Sequence, residues 1–308
     1  MISWNTSEVL KNCLYSVFEQ REMGETEVFV VDNASTDGSA NMVRCTFPSV
    51  RLISNDRNRG FGAANNQAIQ LSSGRYVLLL NSDTIVLSDV LPKSIAYMDH
   101  HPNVGIMGCR VLNADCSVQR TCMRYPSLLN VFLSATGLSH LRWPAFCGRE
   151  HMRYWQRDDE RDVDVISGCY MLVRRTAIDQ VGLLDESFFF CGEESDWCRR
   201  FRQAGWKLRF APVGEIVHLG NVSGRKHGYQ RDVMLSEGLV RFLRKHDGLA
   251  VATLSWVMLW VFNFSHFLVW YAVSFITRSS SARERSAHFL AVSRDFGTAW
   301  PRLNSEPR

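Results

Sequence analysis

No pair among the nine cysteines stands in the C-x-x-C spacing of a zinc or redox site. An odd, scattered set of thiols points to a reducing compartment rather than a disulfide framework. The basic residues form no Lys/Arg stripe with interleaved aromatics and the net charge is only +4, which removes nucleic acid as a main partner. No secretory leader opens the chain: Met1 is followed by ISWNTSEVL, with neither a basic region nor an apolar core, so the working part is expected to face the cytosol. A dinucleotide fingerprint is missing too, since GFGAAN lacks the third glycine and follows a short strand. What remains is an ordinary globular composition in 308 residues, enough for one large α/β domain plus an appendage, or for two modest domains.

Two apolar runs, each ending in an aspartate, say most about that domain: Val28 to Asp32 in EVFVVDNASTDGS and Tyr76 to Asp83 in RYVLLLNSDT. Aliphatic and β-branched residues run without alternation and stop at Asn, Ser, Thr and Gly, the pattern of parallel strands buried on both faces. Both carboxylates then lie at carboxyl ends of strands, the edge where open α/β sheets bind ligands. Around these runs strand and helix alternate. A strand stub at MISW leads to a helix near Ser7–Gln20, a helix near Gly38–Thr46, a strand at Val50–Ser54 and a helix ending near Ser72. MISW is short for a central strand, and a few residues of the first strand are expected upstream. Beyond Asp83 come a helix near Leu91–His100, the strand GIMGCRVL, an irregular insertion from about Asp115 to Asp162, the strand VDVISGCYMLVRR, the helix TAIDQVG, the loop LLDESFFFCGEE, the helix SDWCRRFRQAG and the strand WKLRFAP. The expected division is 1–245 for the α/β domain, with halves 1–110 and 111–245, and 246–308 for an apolar helix and a basic tail.

From Leu249 to Ile276 there is no charged side chain, and Arg241, Arg244, Lys245 on one side and Arg278, Arg283, Arg285 on the other flank the run. About 20 helical residues cross ~30 Å of hydrocarbon, so the run is long enough to span. Its polar interruptions equally allow an interfacial helix, an amphipathic hairpin or a buried helix. Membrane association is the expectation.

Asp32 is placed either to accept from a base N–H or a ribose hydroxyl, or simply to close a turn. NDRNRGFGAANN joins Arg57 and Arg59 to glycines and to the amides of a helix start, a setting for phosphate. Asn81-Ser82-Asp83 ends a buried strand; a hard divalent cation commonly takes one or two carboxylates there and leaves other positions to substrate phosphates. The alternative is an Asx turn. His218 in EIVHLGNVSG offers an imidazole, acceptable to Mn²⁺ and less natural for Mg²⁺, or is a structural histidine.

These segments, in this order, resemble the nucleotide-sugar half of GT-A glycosyltransferases of family two, closest to bacterial rhamnosyltransferase-like members that build cell-surface glycans. The resemblance covers about Ile2 to Arg244. It implies a Rossmann-like, mostly parallel sheet, with Asp32 on the base, Arg57, Asn58, Gly60, Gly62 and Asn66 along ribose and phosphate, and Asn81 and Asp83 in place of D-x-D, so that a divalent cation (Mg²⁺ or Mn²⁺) leans on Asp83 with His218 as a further contact. In GEESDWCRRF the family's general base falls on Glu194, a glutamate where relatives carry aspartate, with Glu193 and Asp196 behind it. The resemblance implies an inverting, metal-dependent hexosyltransferase using a nucleotide-diphosphate sugar, dTDP-rhamnose first. Its acceptor would be a glycan carried on polyprenyl diphosphate, at the cytoplasmic face of the cell membrane. A processive polysaccharide synthase is the second reading, disfavoured because RQAGW lacks the Q-x-x-R-W arrangement; a non-catalytic nucleotide-binding scaffold is the third.

Overall fold

Short apolar runs and amphipathic segments alternate through the first eighty residues, and the computed structural model, which describes residues 1–20, 25–87, 89–140, 145–220 and 228–300, turns them into a parallel βα array. Its elements are β1 (Ile2–Ser3), α1 (Ser7–Phe18), β2 (Phe29–Asp32), α2 (Ser39–Thr46), β3 (Arg51–Ser54), α3 (Phe61–Leu71) and β4 (Tyr76–Leu80). In α1, Leu10, Cys13, Leu14 and Val17 recur at helical spacing and are all buried, so one stripe faces the sheet. β1, β2 and β3 pair in parallel, Ser3 beside Asp32 and Asp32 beside Ser54. The bridge Ile2–Asn81 joins β1 to the end of β4.

The second half follows as β5 (Thr84–Val86), α4 (Val90–His100), β6 (Val104–Leu112), β7 (Cys122–Met123), α5 (Leu128–Ala135), β8 (Arg161–Asp162), β9 (Val165–Ile166), β10 (Tyr170–Arg174), α6 (Arg175–Val181), α7 (Glu193–Gln203) and β11 (Lys207–His218). Strands here run in the order β4-β10-β6-β11-β5. β10 is antiparallel to both β4 and β6, while β6 and β11 are parallel. The expected parallel character therefore holds for the first half and gives way to a mixed sheet in the second, because the excursion between β6 and β10 brings the chain back from the opposite end. Met171 and Val173 of β10 face a core with α3, α6 and α7, whereas Tyr170 and Leu172 face one with α1 and α4. Burial on both faces is what an apolar run without alternation encodes.

Two local differences from the sequence reading matter for the site. The single strand expected over 163–175 breaks at Ser167–Cys169, where Tyr170 N–H turns back to the Ser167 carbonyl. And α7 begins at Glu193 rather than Ser195, after Gly192 at φ +100°, so both glutamates and Asp196 share its first turn.

β1 spans two residues where β2 has four and β4 five. A cavity of about 870 Å³ opens between β2 and β4, lined by Phe29, Ala68, Ile69, Leu78 and Leu80 among others. The C-terminal part is helical: α8 (Tyr229–His246), α9 (Leu249–Thr277) and α10 (Ser280–Asp295). The expected basic tail is thus largely a helix, packed along α9.

Candidate active site

Three strand ends meet at one rim. Ser3 pairs with Asp32, Ile2 bridges to Asn81, and the buried hydroxyls of Ser3, Thr6 and Ser82 form a chain at 3.0 and 3.1 Å. Asp32 is buried; its Oδ2 accepts from the Ser35 amide at 3.1 Å, closing the turn, while its Oδ1 has no partner. A buried acceptor without a partner is costly, so one oxygen serves the turn and the other is left for a ligand donor.

Asn33, which the sequence reading passed over, stitches this turn to the next loop. Its side chain donates to Asn58 Oδ1 (2.8 Å) and the Gly60 carbonyl, and accepts from Asn55 and the Arg59 amide. Asn58 also accepts from the Gly60 amide, so its carboxamide oxygen shapes the loop. Gly60, at φ +80°, is required for packing: a Cβ there would lie 2.7 Å from the Phe189 carbonyl oxygen. Its close approach is to the protein backbone of the loop ahead of α7. Gly62 likewise lies under Leu184, Asp185 and Glu193. Asn66 is buried and donates to the Leu184 carbonyl and Glu186 while accepting from the Leu184 amide. Both ends of its amide are occupied, so Asn66 fixes the loop ahead of α7 rather than touching a nucleotide. Arg57 and Arg59 are exposed on the loop.

The break in the third-quarter strand brings the chemistry together. The Gly168 amide donates to Glu194 Oε1 at 3.2 Å, and the Asn81 amide donates to the Cys169 carbonyl at 3.3 Å. The Gly168 amide thus holds Glu194 and the Cys169 carbonyl holds Asn81, two residues before Asp83, so the segments carrying the two acids meet at one two-residue turn; burial pushes the Cys169 thiol up to about 12. Glu193 is buried with Oε2 unpartnered. Burial raises the carboxyls of both Glu193 and Glu194; the Gly168 amide offsets part of this for Glu194, whereas the neighbouring Glu194 charge adds to it for Glu193. The Gly168 amide favours the ionised form of Glu194. Asp196 lies elsewhere: fully buried, it takes Arg200 at 2.8 Å, Lys245 at 2.7 Å and His246 at 2.8 Å. Three donors occupy it, which removes Asp196 as a base.

At the far side of Asn81, Asp83 Oδ1 lies 3.2 Å from His218 Nε2, and Asn81 Nδ2 lies 3.2 Å from the same nitrogen. Gln119, from the segment read as irregular, contacts His218 Nδ1 through Oε1 at 2.7 Å, while its Nε2 donates to Asn113 Oδ1 and the His218 carbonyl. Because Nε2 faces two acceptors, Oε1 must accept, so His218 carries its proton on Nδ1 and presents a lone pair on Nε2 beside the Asp83 carboxylate. That donor set, one carboxylate oxygen and one imidazole nitrogen, fits a divalent cation of the Mn²⁺ type. Among the described residues no group of three His, Cys, Asp or Glu converges, which leaves the remaining positions to substrate oxygens and water. The turn expected after His218 lies mostly outside the described residues.

The fold is that of a GT-A glycosyltransferase. The chain is similar in fold to the mannosyltransferase PcManGT of Pyrobaculum calidifontis, solved with GDP-Man and Mn²⁺ (TM-score 0.56, 16% identity, 96% of this chain and 85% of that one). It is also similar to GalNAc-T7 solved with UDP, GalNAc and Mn²⁺ (TM-score 0.56, 14% identity, 79% and 46%). Residues 1–182 match the family model for Glycosyl transferase family 2, and the chain belongs to that family. Among curated relatives it is 27% identical over 248 residues to the N-acetylglucosaminyl-diphospho-decaprenol L-rhamnosyltransferase of Mycobacterium tuberculosis, across 75% of this chain and 79% of the relative. It is 26% identical over 223 residues to the low-salt glycan biosynthesis hexosyltransferase Agl10 of Haloferax volcanii, across 71% and 65%.

Proposed function

We propose that this glycosyltransferase inverts the anomeric centre as it moves one sugar, rhamnose from dTDP-rhamnose in the first instance, onto a polyprenyl-diphosphate-linked glycan at the cytoplasmic face of the membrane. One observation carries the reading: the Gly168 amide binds Glu194 and the next carbonyl, that of Cys169, accepts from the Asn81 amide, so Glu194 and the Asn81–Asp83 segment meet at the same turn. Glu194 takes the proton of the acceptor hydroxyl as its oxygen attacks the anomeric carbon, and burial, by raising its carboxyl toward neutrality, makes it a better proton acceptor. Asp83 and His218 would hold a divalent cation, with Gln119 fixing the orientation of the histidine ring. A divalent cation bound there supplies Lewis-acid neutralisation of the charge that develops on the leaving diphosphate. Asp32 Oδ1 accepts from the base, and the exposed Arg57 guanidinium is available to the diphosphate. The acceptor and the donor sugar follow the relative from Mycobacterium tuberculosis, whose name specifies a decaprenol-linked acceptor and L-rhamnose. The membrane follows the apolar α9.

A transfer assay with dTDP-, UDP- and GDP-sugars and a polyprenyl-diphosphate glycan tests the reading. Glu194→Gln is expected to lower kcat by roughly 10²–10⁴-fold and Asp83→Ala to abolish transfer, with Glu193→Gln largely active. Wild-type rates in both Glu194→Gln and Asp83→Ala would refute it.

A further inference from the structure

The 29-residue α9 is apolar enough to cross a bilayer, with 11% of its most apolar window buried in the protein. Its environment decides otherwise. α10 runs antiparallel along it: Trp256 meets Phe296 with ring centroids 5.7 Å apart, His266 meets Phe289 at 5.1 Å, and Arg285 lies 4.5 Å over the Trp270 ring. The two helices of this seam bury small and polar residues, Asn263 and Ser274 on α9 and Ala282, Ser286 and Ser293 on α10, while Ala252 near the start of α9 packs with α5 and α8. α10 carries Arg283, Glu284, Arg285, Arg294 and Asp295. If α9 crossed a bilayer with this partner attached, those charges would enter hydrocarbon at a cost of several kcal/mol in sum. If α10 stayed outside, the seam would open and leave Asn263 and its polar neighbours facing lipid.

Away from the seam, Val257, Val261, Phe264, Leu268, Tyr271 and Phe275 recur at helical spacing and are all exposed, Phe275 at 83% and Ile276 beside it at 79%. Exposed Arg278, Arg283 and Arg285 stand at the same end. An apolar face bordered by cations matches an anionic lipid surface in both hydrophobicity and charge.

Resting on the membrane reading above, we infer that the α9–α10 hairpin is a monotopic anchor: α9 lies in the plane of an anionic leaflet, its outward row among the upper acyl chains, and α10 rides on its water side. The chain then enters and leaves the bilayer from one face, and the C-terminus stays on the side of the catalytic domain.

Full-length protein floated with phosphatidylcholine vesicles, with and without phosphatidylglycerol, reads binding; a C-terminal epitope in protease-treated spheroplasts reads sidedness. The expected result is flotation that depends on phosphatidylglycerol, about tenfold weaker binding for the double variant Phe275→Glu/Ile276→Glu at unchanged thermal midpoint, and an epitope digested only after the spheroplasts are lysed. An epitope digested in intact spheroplasts means α9 spans, which overturns this inference and leaves the membrane reading standing. No flotation with either vesicle overturns both, and flotation indifferent to the two substitutions assigns the contact to another surface and overturns the inference. A stable dimer that Phe275→Glu/Ile276→Glu converts to monomer, without vesicle binding, identifies the face as an interface between copies instead.

Discussion

At the scale of single residues, the two adjacent glutamates differ in what stands beside them: the Gly168 amide donates to Glu194, whereas Glu193 keeps an unpartnered, buried Oε2. Glu193 sits above its ordinary 4.5, raised by burial and by Glu194. As pH climbs past that value the unfolded chain gives up this proton while the folded chain keeps it, so Glu193 costs stability with rising pH until the folded carboxyl itself ionises. Glu193→Gln is therefore expected to melt above wild type near about pH 8 and level with it near about pH 4; parallel melting curves at both pH values would contradict the burial assignment. Gln119 makes a different claim. Gln119→Ala frees the His218 ring, and calorimetric Mn²⁺ affinity in the presence of nucleotide should fall roughly 10–100-fold with an unchanged thermal midpoint; unchanged affinity would reduce Gln119 to packing. Asp32 and Asp83 were visible in the sequence because carboxylates after buried strands have a pattern, and Glu194 was reached through the family resemblance. Asn33 and Gln119 were not, since a carboxamide acquires its role only from what the fold sets opposite each end.

At the scale of elements, α7 carries the proposed base and is held from behind by α8. Asp196, two residues beyond Glu194, turns to the other side of the helix and binds Lys245 and His246 of α8 as well as Arg200. Asp196→Ala leaves those donors without their acceptor, and breaking a buried ionic group of this kind costs about 3–5 kcal/mol. The expected signature is a large drop in denaturation midpoint; a variant as stable as wild type but inactive would return Asp196 to the list of bases. The sequence pattern left Glu193 and Glu194 in the loop ahead of this helix; the structure draws them into its first turn with Asp196, and a hundred degrees per residue still cannot say which of them looks into the cleft until α8 is in place. The same limit applies to α9, whose length and composition read as a span and whose neighbour α10 makes it a seam on one side.

At the scale of the whole molecule, the sheet is continuous at its functional rim and open at the opposite end. The Ile2–Asn81 bridge and the Ser3–Thr6–Ser82 hydroxyl chain close the rim, whereas the 870 Å³ cavity separates β2 from β4 behind it. The Met1 amine is buried there against the Phe29 carbonyl at 2.9 Å, and burial pushes it down to about 6. A four-residue β-branched extension ahead of Met1 would lengthen β1 into the gap, cover Leu78 and Leu80, and remove the buried amine. Since 1 kcal/mol moves the midpoint by roughly 2–4 °C in chains of about 200 residues, a rise of several degrees by scanning calorimetry is expected. A lowered midpoint would show that the cavity is not a strand slot.

The linear chain by itself determined the βα alternation, the buried strands, the acids at their carboxyl ends and the apolar C-terminal helix, because strand and helix periods and the uncompensated burial of charge are local properties. Only the tertiary structure decided that β10 runs antiparallel, that Gly168 reaches Glu194, that Gln119 orients His218 and that α10 covers one side of α9. Each of those is a contact between segments far apart in sequence, and no local period encodes what will stand across from a side chain once the sheet closes.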